Sequence, residues 1–134
     1  MWQRFPLVGL LFLATALAGC GGVKPVTGGT QGTLKVGGQL LSDIQVTVHR
    51  VDGDTIESIG FGTTDNDGVF ELVTNGAKGP LWLEEGEYRF TLESAGAPVQ
   101  FSPEYALPTK TPLRVSWAGS EQDLELTASL AEAP

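Results

Sequence analysis

From Thr33 to Leu130 the chain alternates apolar and polar side chains at every second position. This two-residue period is typical of β-strands that bury one face and expose the other. The pattern predicts seven strands with these inward residues: Leu34 and Val36; Ile44, Val46 and Val48; Ile59 and Phe61; Phe70 and Leu72; Tyr88, Phe90 and Leu92; Leu113, Val115 and Trp117; and Leu124, Leu126, Ala128 and Leu130.

Short runs rich in Gly, Asn and Asp separate these segments, and no window carries a sustained helical stripe. In the run Asp65–Gly68, we expect the Asp65 carboxylate to accept backbone N–H groups as an Asx turn, with Gly68 at positive φ. Seven short strands joined by such turns predict an all-β domain, a seven- to eight-stranded antiparallel β-sandwich.

The segments before and after this domain have a different composition. Residues 20–32 contain many glycines and no periodic pattern, which predicts a flexible tether. We therefore expect a tether over 20–32, the sandwich over 33–131 and a short tail over 132–134.

The N-terminus, residues 1–19, has the form of a secretory signal peptide. One basic residue, Arg4, precedes an uncharged run from Phe5 to Ala18 that is too short to span a membrane. The run ends in Leu17-Ala18-Gly19-Cys20, which resembles the lipobox of bacterial lipoproteins. The resemblance implies cleavage before Cys20, a diacylglyceryl thioether on its sulfur and acylation of the new amine by fatty acids such as palmitate.

A second interpretation of the same segment remains open. Ala16-Leu17-Ala18 is also an A-x-A site, and ordinary cleavage after Ala18 would release an unanchored secreted protein. Lipidation is favoured because Cys20 is the only cysteine in the chain. The expected location is the extracytoplasmic cell envelope, on the outer rather than the inner membrane, because Gly21 and not Asp follows the cysteine.

Composition excludes several classes of function. The chain has 134 residues and a formal charge of −8, so it offers no basic surface for nucleic acid. One Cys and one His exclude an intrachain disulfide and any zinc site built from several such residues. We expect no cofactor.

Three motifs resemble the carboxypeptidase regulatory-like domain, whose fold is a transthyretin-like (prealbumin-like) β-sandwich. The stretch 38–48 is similar to the family's opening G-x-P-L-x-x-V-x-V-x-V, except that Leu40 replaces the usual Pro. The stretch 62–72 is similar to T-D-x-x-G-x-F-x-L, and 83–92 to P-G-x-Y-x-V-x-V. The later part, with Pro103-Glu104-Tyr105 and 111–115, resembles a lipoprotein subgroup common in planctomycetes.

The resemblance implies a fold and no activity, because one fold serves many functions. Domains of this family are usually non-catalytic accessory modules. The single His49 excludes the two-His zinc site of the carboxypeptidases, and the chain lacks the C-terminal Tyr-Arg-Gly-Ser of transthyretin-like hydrolases. His49 follows the polar face of its strand, where we expect a solvated surface histidine and not a catalytic base.

Acidic turns and loop aromatics are the remaining candidate sites. Asp52, Asp54, Glu84 and Glu85 are expected at one end of the sheet, as weak candidates for calcium against the ordinary role of turn residues. Trp117 continues an apolar face and is expected in the core.

Trp82, in a loop, would ordinarily pack over a sheet edge, with ligand binding as the alternative. Tyr105 is a second possible ligand contact, although the family resemblance makes it a structural plug. These observations favour a lipid-anchored, non-catalytic structural or protein-interaction module with an envelope protein as partner. The alternative is a carbohydrate-binding module that uses Trp82 and Tyr105. An enzyme, as a third class, would need a second catalytic group near His49.

Overall fold

The computed structural model describes residues 28–119 and 123–130. Within these ranges the chain forms nine β-strands, one short 3₁₀ helix and no α-helix. The strands are β1 (Gln31–Val36), β2 (Gln39–Leu40), β3 (Ile44–Asp52), β4 (Thr55–Thr63), β5 (Val69–Glu71), β6 (Val73–Thr74), β7 (Gly86–Ser94), β8 (Arg114–Trp117) and β9 (Leu124–Ala128), and the 3₁₀ helix covers Pro103–Ala106. The predicted signal peptide, the lipobox with Cys20, and the tail 132–134 lie outside the described residues.

The strands form two sheets, which confirms the predicted all-β sandwich. One sheet has the order β6-β4-β3-β7-β8 and is antiparallel throughout. In the other, β1 pairs with β2 and β5 in antiparallel fashion and with β9 in parallel. The prediction of a wholly antiparallel sandwich is therefore wrong for the β1–β9 pair. Side-chain alternation indicates which face a strand buries but not the direction in which it runs. Each of the seven predicted segments overlaps a strand; β2 and β6, with two residues each, are too short to show a period.

The core lies between the sheets and is built from the inward residues of both. Its largest fully buried side chains are Phe70, Phe90, Leu34, Ile44, Leu72, Val36, Val46, Val48 and Thr111. Leu130 is an exception to the predicted inward positions. It lies beyond the end of β9, in an isolated bridge with Phe101, and is largely exposed.

Strand β4 also departs from its predicted face. Val46 and Val48 of β3 pair with Gly62 and Gly60, so two glycines occupy the core side of β4. The main chain of β5 and β6 passes close over them, since a Cβ on Gly62 would lie 2.6 Å from the Glu71 carbonyl oxygen. The β3–β4 register shifts at Ile59, which contacts the core, whereas Phe61 is half-buried and lies outside it.

The Asp65 turn forms as predicted. The Asp65 Oδ1 atom accepts the backbone N–H of Asp67 at 2.8 Å and that of Val69 at 3.0 Å. Gly68 has φ of 72°, a conformation that a residue with a Cβ adopts only with strain. The turn orients Phe70 and Leu72 into the core.

The sandwich begins earlier than the predicted boundary at Thr33. Strand β1 starts at Gln31, and both Gly29 and Thr30 are buried. The Gly-rich composition hid these residues, because a glycine packed in a core leaves no apolar side chain in the pattern.

Candidate binding cleft

The loop that carries Trp82 is fixed to the start of the first strand by main-chain hydrogen bonds. The Thr30 N–H donates to the Leu81 carbonyl oxygen at 2.8 Å, and the Leu83 N–H donates to the Thr30 hydroxyl oxygen at 2.9 Å. Thr30 is itself buried, so water does not compete strongly with these bonds. The residues on both sides of Trp82 are thus held in place.

Trp117 also holds the Trp82 loop, through a hydrogen bond. This residue ends β8 and is 5% exposed, which confirms its predicted place in the core. Its indole Nε1–H donates to the Leu83 carbonyl oxygen at 3.1 Å. Leu83 therefore packs inward between Thr30 and Trp117, and Trp82 remains outside the core.

An open cleft of about 520 Å³ lies beside this loop. It is lined by residues 30–33, Trp82 and Leu83, Trp117 and residues 123–125. Its volume falls within the roughly 300–1,000 Å³ of small-ligand sites. The cleft thus combines the start of β1, the start of β9, the end of β8 and the Trp82 loop.

The parallel pair β1–β9 supplies the polar part of the lining. Gly32 pairs with Leu124 and Thr33 with Glu125, and this register places Gln31 beside Asp123. These four polar side chains stand on the outer face of the sheet, since Leu34 and Leu126 point into the core. The cleft is therefore rich in hydrogen-bonding groups and carries two carboxylates.

Trp82 is 63% exposed and is the most exposed large hydrophobic side chain in the described part of the chain. This exposure favours the ligand-binding alternative over packing across a sheet edge. The residues on either side of Trp82 face the core instead: Leu83 is part of the core and Leu81 packs against it.

Tyr105, the second predicted ligand contact, does not line the cleft. Its side chain is 6% exposed, its hydroxyl oxygen accepts the Ser129 N–H at 3.0 Å, and its ring lies 5.9 Å from that of Phe101. The ligand-contact interpretation is wrong for this residue, because a buried tyrosine with an engaged hydroxyl presents no surface. The structural role implied by the family resemblance fits these contacts.

The weak calcium candidates share one end of the sheet, as expected from the pairing of Val51 with Glu87 next to the β3–β4 turn. All four carboxylates, on Asp52, Asp54, Glu84 and Glu85, are exposed. Over residues 28–119 and 123–130, no three or more His, Cys, Asp or Glu side chains form a group that could hold a metal ion.

His49 lies on the outer face of its sheet, but it is buried and not solvated, contrary to the prediction. It is 9% exposed, and its Nε2 atom lies 2.9 Å from the Thr91 hydroxyl oxygen on the adjacent strand. Neighbouring side chains on the sheet cover it, which a polar position in the sequence pattern does not reveal. His49 does not line the cleft.

Burial makes His49 a source of pH-dependent stability. Desolvation lowers the pKa of its imidazole below the usual value of 6.5. As the pH falls below about 6.5, unfolded chains bind a proton that the folded protein resists, so the free energy of unfolding decreases until the lower folded-state pKa is reached. We expect the urea midpoint to fall between pH 7.5 and 5.5, and His49→Gln to flatten this dependence. His49 is the only histidine, so an unchanged slope in the variant would contradict the assignment.

Comparisons with protein-family models, with curated proteins and with solved structures found no match. Within the described residues, no helix has the length and apolar character needed to cross a membrane. Sequence reasoning found Trp82 but missed Gln31, Thr33, Asp123 and Glu125, which are ordinary outward positions until the β1–β9 pairing brings them together.

Proposed function

We propose that this protein is a lipid-anchored, non-catalytic binding module of the bacterial cell envelope and that the cleft beside Trp82 is its binding site. The observation that carries the proposal is the 63% exposure of Trp82 on a loop fixed by hydrogen bonds on both sides. Exposing a large indole to water is unfavourable, and tryptophan is one of the residue types enriched at the energetic centres of binding interfaces.

The position of the cleft fits anchoring through Cys20. Gly28 lies eight residue steps after Cys20, and eight steps of extended chain span at most about 30 Å. Gly28 is fixed to the sandwich, because its N–H donates to a Glu71 carboxylate oxygen at 2.9 Å. Thr30, the first residue of the cleft lining, follows two residues later. An anchored protein would hold the cleft close to the membrane surface, where its partners are other envelope components.

The non-catalytic part of the proposal is supported by the cleft lining, which contains no histidine among the described residues. A histidine base would have to be His49, which is buried and engaged with Thr91 elsewhere on the molecule. The resemblance to carboxypeptidase regulatory-like domains, which are usually accessory modules, supports the same conclusion. Two classes of partner, an envelope protein and a glycan, are compatible with the site.

The test is photo-crosslinking in cells, with p-benzoylphenylalanine in place of Trp82. We expect adducts from this position and none when Leu107, an exposed residue outside the cleft, is replaced instead. Cys20→Ala should abolish metabolic labelling by a palmitate analogue and remove the adducts. Unlabelled wild-type protein would contradict the anchor, and equal adducts from positions 82 and 107 would contradict the site.

A further inference from the structure

We infer that the cleft binds a neutral saccharide, with the Trp82 indole as the stacking surface and the polar side chains of β1 and the start of β9 as hydrogen-bonding partners. This inference rests on the proposed function, because it assigns a ligand class to the same site. It is carried by three features of the cleft: its aromatic wall, its polar floor and its charge.

The aromatic wall matches the apolar face of a sugar ring. The C–H groups on one face of a pyranose carry small positive charges and pack on the electron-rich face of an indole. The Trp82 side chain is 63% exposed and lines the cleft, and the bonds from Leu83 to Thr30 and from Trp117 to Leu83 fix the loop before any ligand arrives. A preformed platform lowers the entropic cost of binding.

The polar floor matches the hydroxyl groups of a saccharide. Gln31 supplies an amide donor and acceptor, Thr33 a hydroxyl, and Asp123 and Glu125 acceptors for hydroxyl hydrogens. Side chains two residues apart on a strand lie about 7 Å apart on one face, a spacing that reaches different hydroxyls of one or two sugar units. Hydroxyl groups both donate and accept, as this mixed lining requires.

The charge of the cleft excludes anionic ligands. Asp123 and Glu125 line it, and no Lys or Arg among the described residues does. The whole chain, with these two carboxylates included, carries a formal charge of −8. The carboxylates disfavour phosphate, sulfate and uronate groups, and Lys35, on the same face of the sheet, lies outside this lining. We therefore expect the part of the saccharide that enters the cleft to be uncharged.

A protein partner fits the same surface less well. Protein interfaces have a contiguous apolar core, depleted in charged residues and surrounded by a polar rim. The other large hydrophobic side chains that are exposed in the described ranges are Leu40, Leu107 and Leu130, and none of them lines the cleft. Trp82 instead shares the cleft with two carboxylates, one amide and two hydroxyl groups, the surroundings expected for a sugar.

The test is isothermal titration of the full chain with maltohexaose, cellohexaose and N-acetylchitohexaose as neutral probes. The detergent must be zwitterionic, because glucoside and maltoside head groups would compete for the site. Oligogalacturonate serves as the anionic probe and tetramethylammonium as a cationic competitor. We expect at least one neutral hexasaccharide to bind, no binding of oligogalacturonate and no displacement by tetramethylammonium.

The variants separate stacking from unspecific effects. Trp82→Ala should weaken binding at least tenfold, and Trp82→Phe should retain it within about threefold because the ring face is conserved. Asp123→Asn should weaken it less than tenfold, since an amide still bonds hydroxyls. Leu107→Ala, which removes exposed apolar surface outside the cleft, should bind as the wild type does.

Several outcomes would overturn the inference: no neutral hexasaccharide bound by folded wild-type protein, undiminished binding by Trp82→Ala, equal binding of oligogalacturonate, or displacement by tetramethylammonium. If saccharides fail while position 82 still crosslinks to a protein in cells, the ligand class is wrong and the proposed function stands. If both experiments fail, the proposed binding site is wrong as well. Hydrolysis of a bound hexasaccharide would overturn only the non-catalytic assignment.

Discussion

Replacing Gly29 by alanine is expected to destabilise the protein by about 3 kcal/mol or more, although this residue lies in a stretch with the composition of a linker. A Cβ at this position would overlap the Leu72 carbonyl oxygen and lie 2.7 Å from that of Leu81. These neighbours are main-chain atoms in a hydrogen-bonded arrangement, so they cannot rotate away as a side chain would.

The arrangement around Gly29 explains the size of the effect. The Leu72 N–H donates to the Thr30 carbonyl oxygen, the Leu81 N–H to that of Leu72, and the Thr30 N–H to that of Leu81, at 2.8–2.9 Å. A methyl group forced between these segments separates buried donors from acceptors, and each unpaired group costs about 1–3 kcal/mol. The same bonds fix the Trp82 loop, so ligand binding should weaken along with stability.

Urea denaturation of the full chain measures the effect, with Gly79→Ala as the matched control. Gly79 lies two residues before Leu81, has no positive φ, and a Cβ there would have no atom within 4 Å. The control should change stability by less than about 0.5 kcal/mol. A Gly29→Ala protein as stable as the control would show that residue 29 belongs to the tether predicted from the sequence.

This disagreement at Gly29 shows what limits inference from the pattern. Alternation identified β1 from Leu34 and Val36 because those residues have apolar side chains that face inward. Gly29 and Gly32 are buried as well, but their function in the fold is the space that they leave for other chain segments. The pattern failed for the same reason at β4. Gly60 and Gly62 occupy the core face of this strand, whereas the alternation of side chains predicted Ile59 and Phe61 there.

The cleft was only partly predictable for a different reason. Trp82 can be recognised from the sequence because it is a tryptophan in a segment that contains Gly and Pro, which indicates a loop. Thr33 and Glu125 become neighbours only through a parallel pairing of strands some 90 residues apart, and alternation specifies a face without a partner. Tyr105 was misassigned as a ligand contact because a Pro-containing segment does not show that its ring turns inward.

Removing the Phe70 ring is expected to cost about 3–5 kcal/mol, the range for phenylalanine-to-alanine changes in a tight core. Phe70 is 1% exposed and pairs directly with Gly32 across β1 and β5, where the glycine leaves room for the ring. Alanine would leave a cavity under the cleft floor. With a typical dependence of 1–3 kcal/mol per molar urea, the midpoint should fall by at least about 1 M.

Phe61→Ala provides the matched control, because it removes the same ring from a half-buried position outside the core and should cost markedly less. The pairing itself is tested by a double-mutant cycle with Gly32→Ala. A Cβ on Gly32 would lie 2.9 Å from Phe70 Cε2, so this change alone should destabilise the protein, but less so once the ring is absent. We expect a coupling of at least 1 kcal/mol. Strictly additive costs would show that the Phe70 ring does not fill the space that Gly32 leaves beneath the cleft.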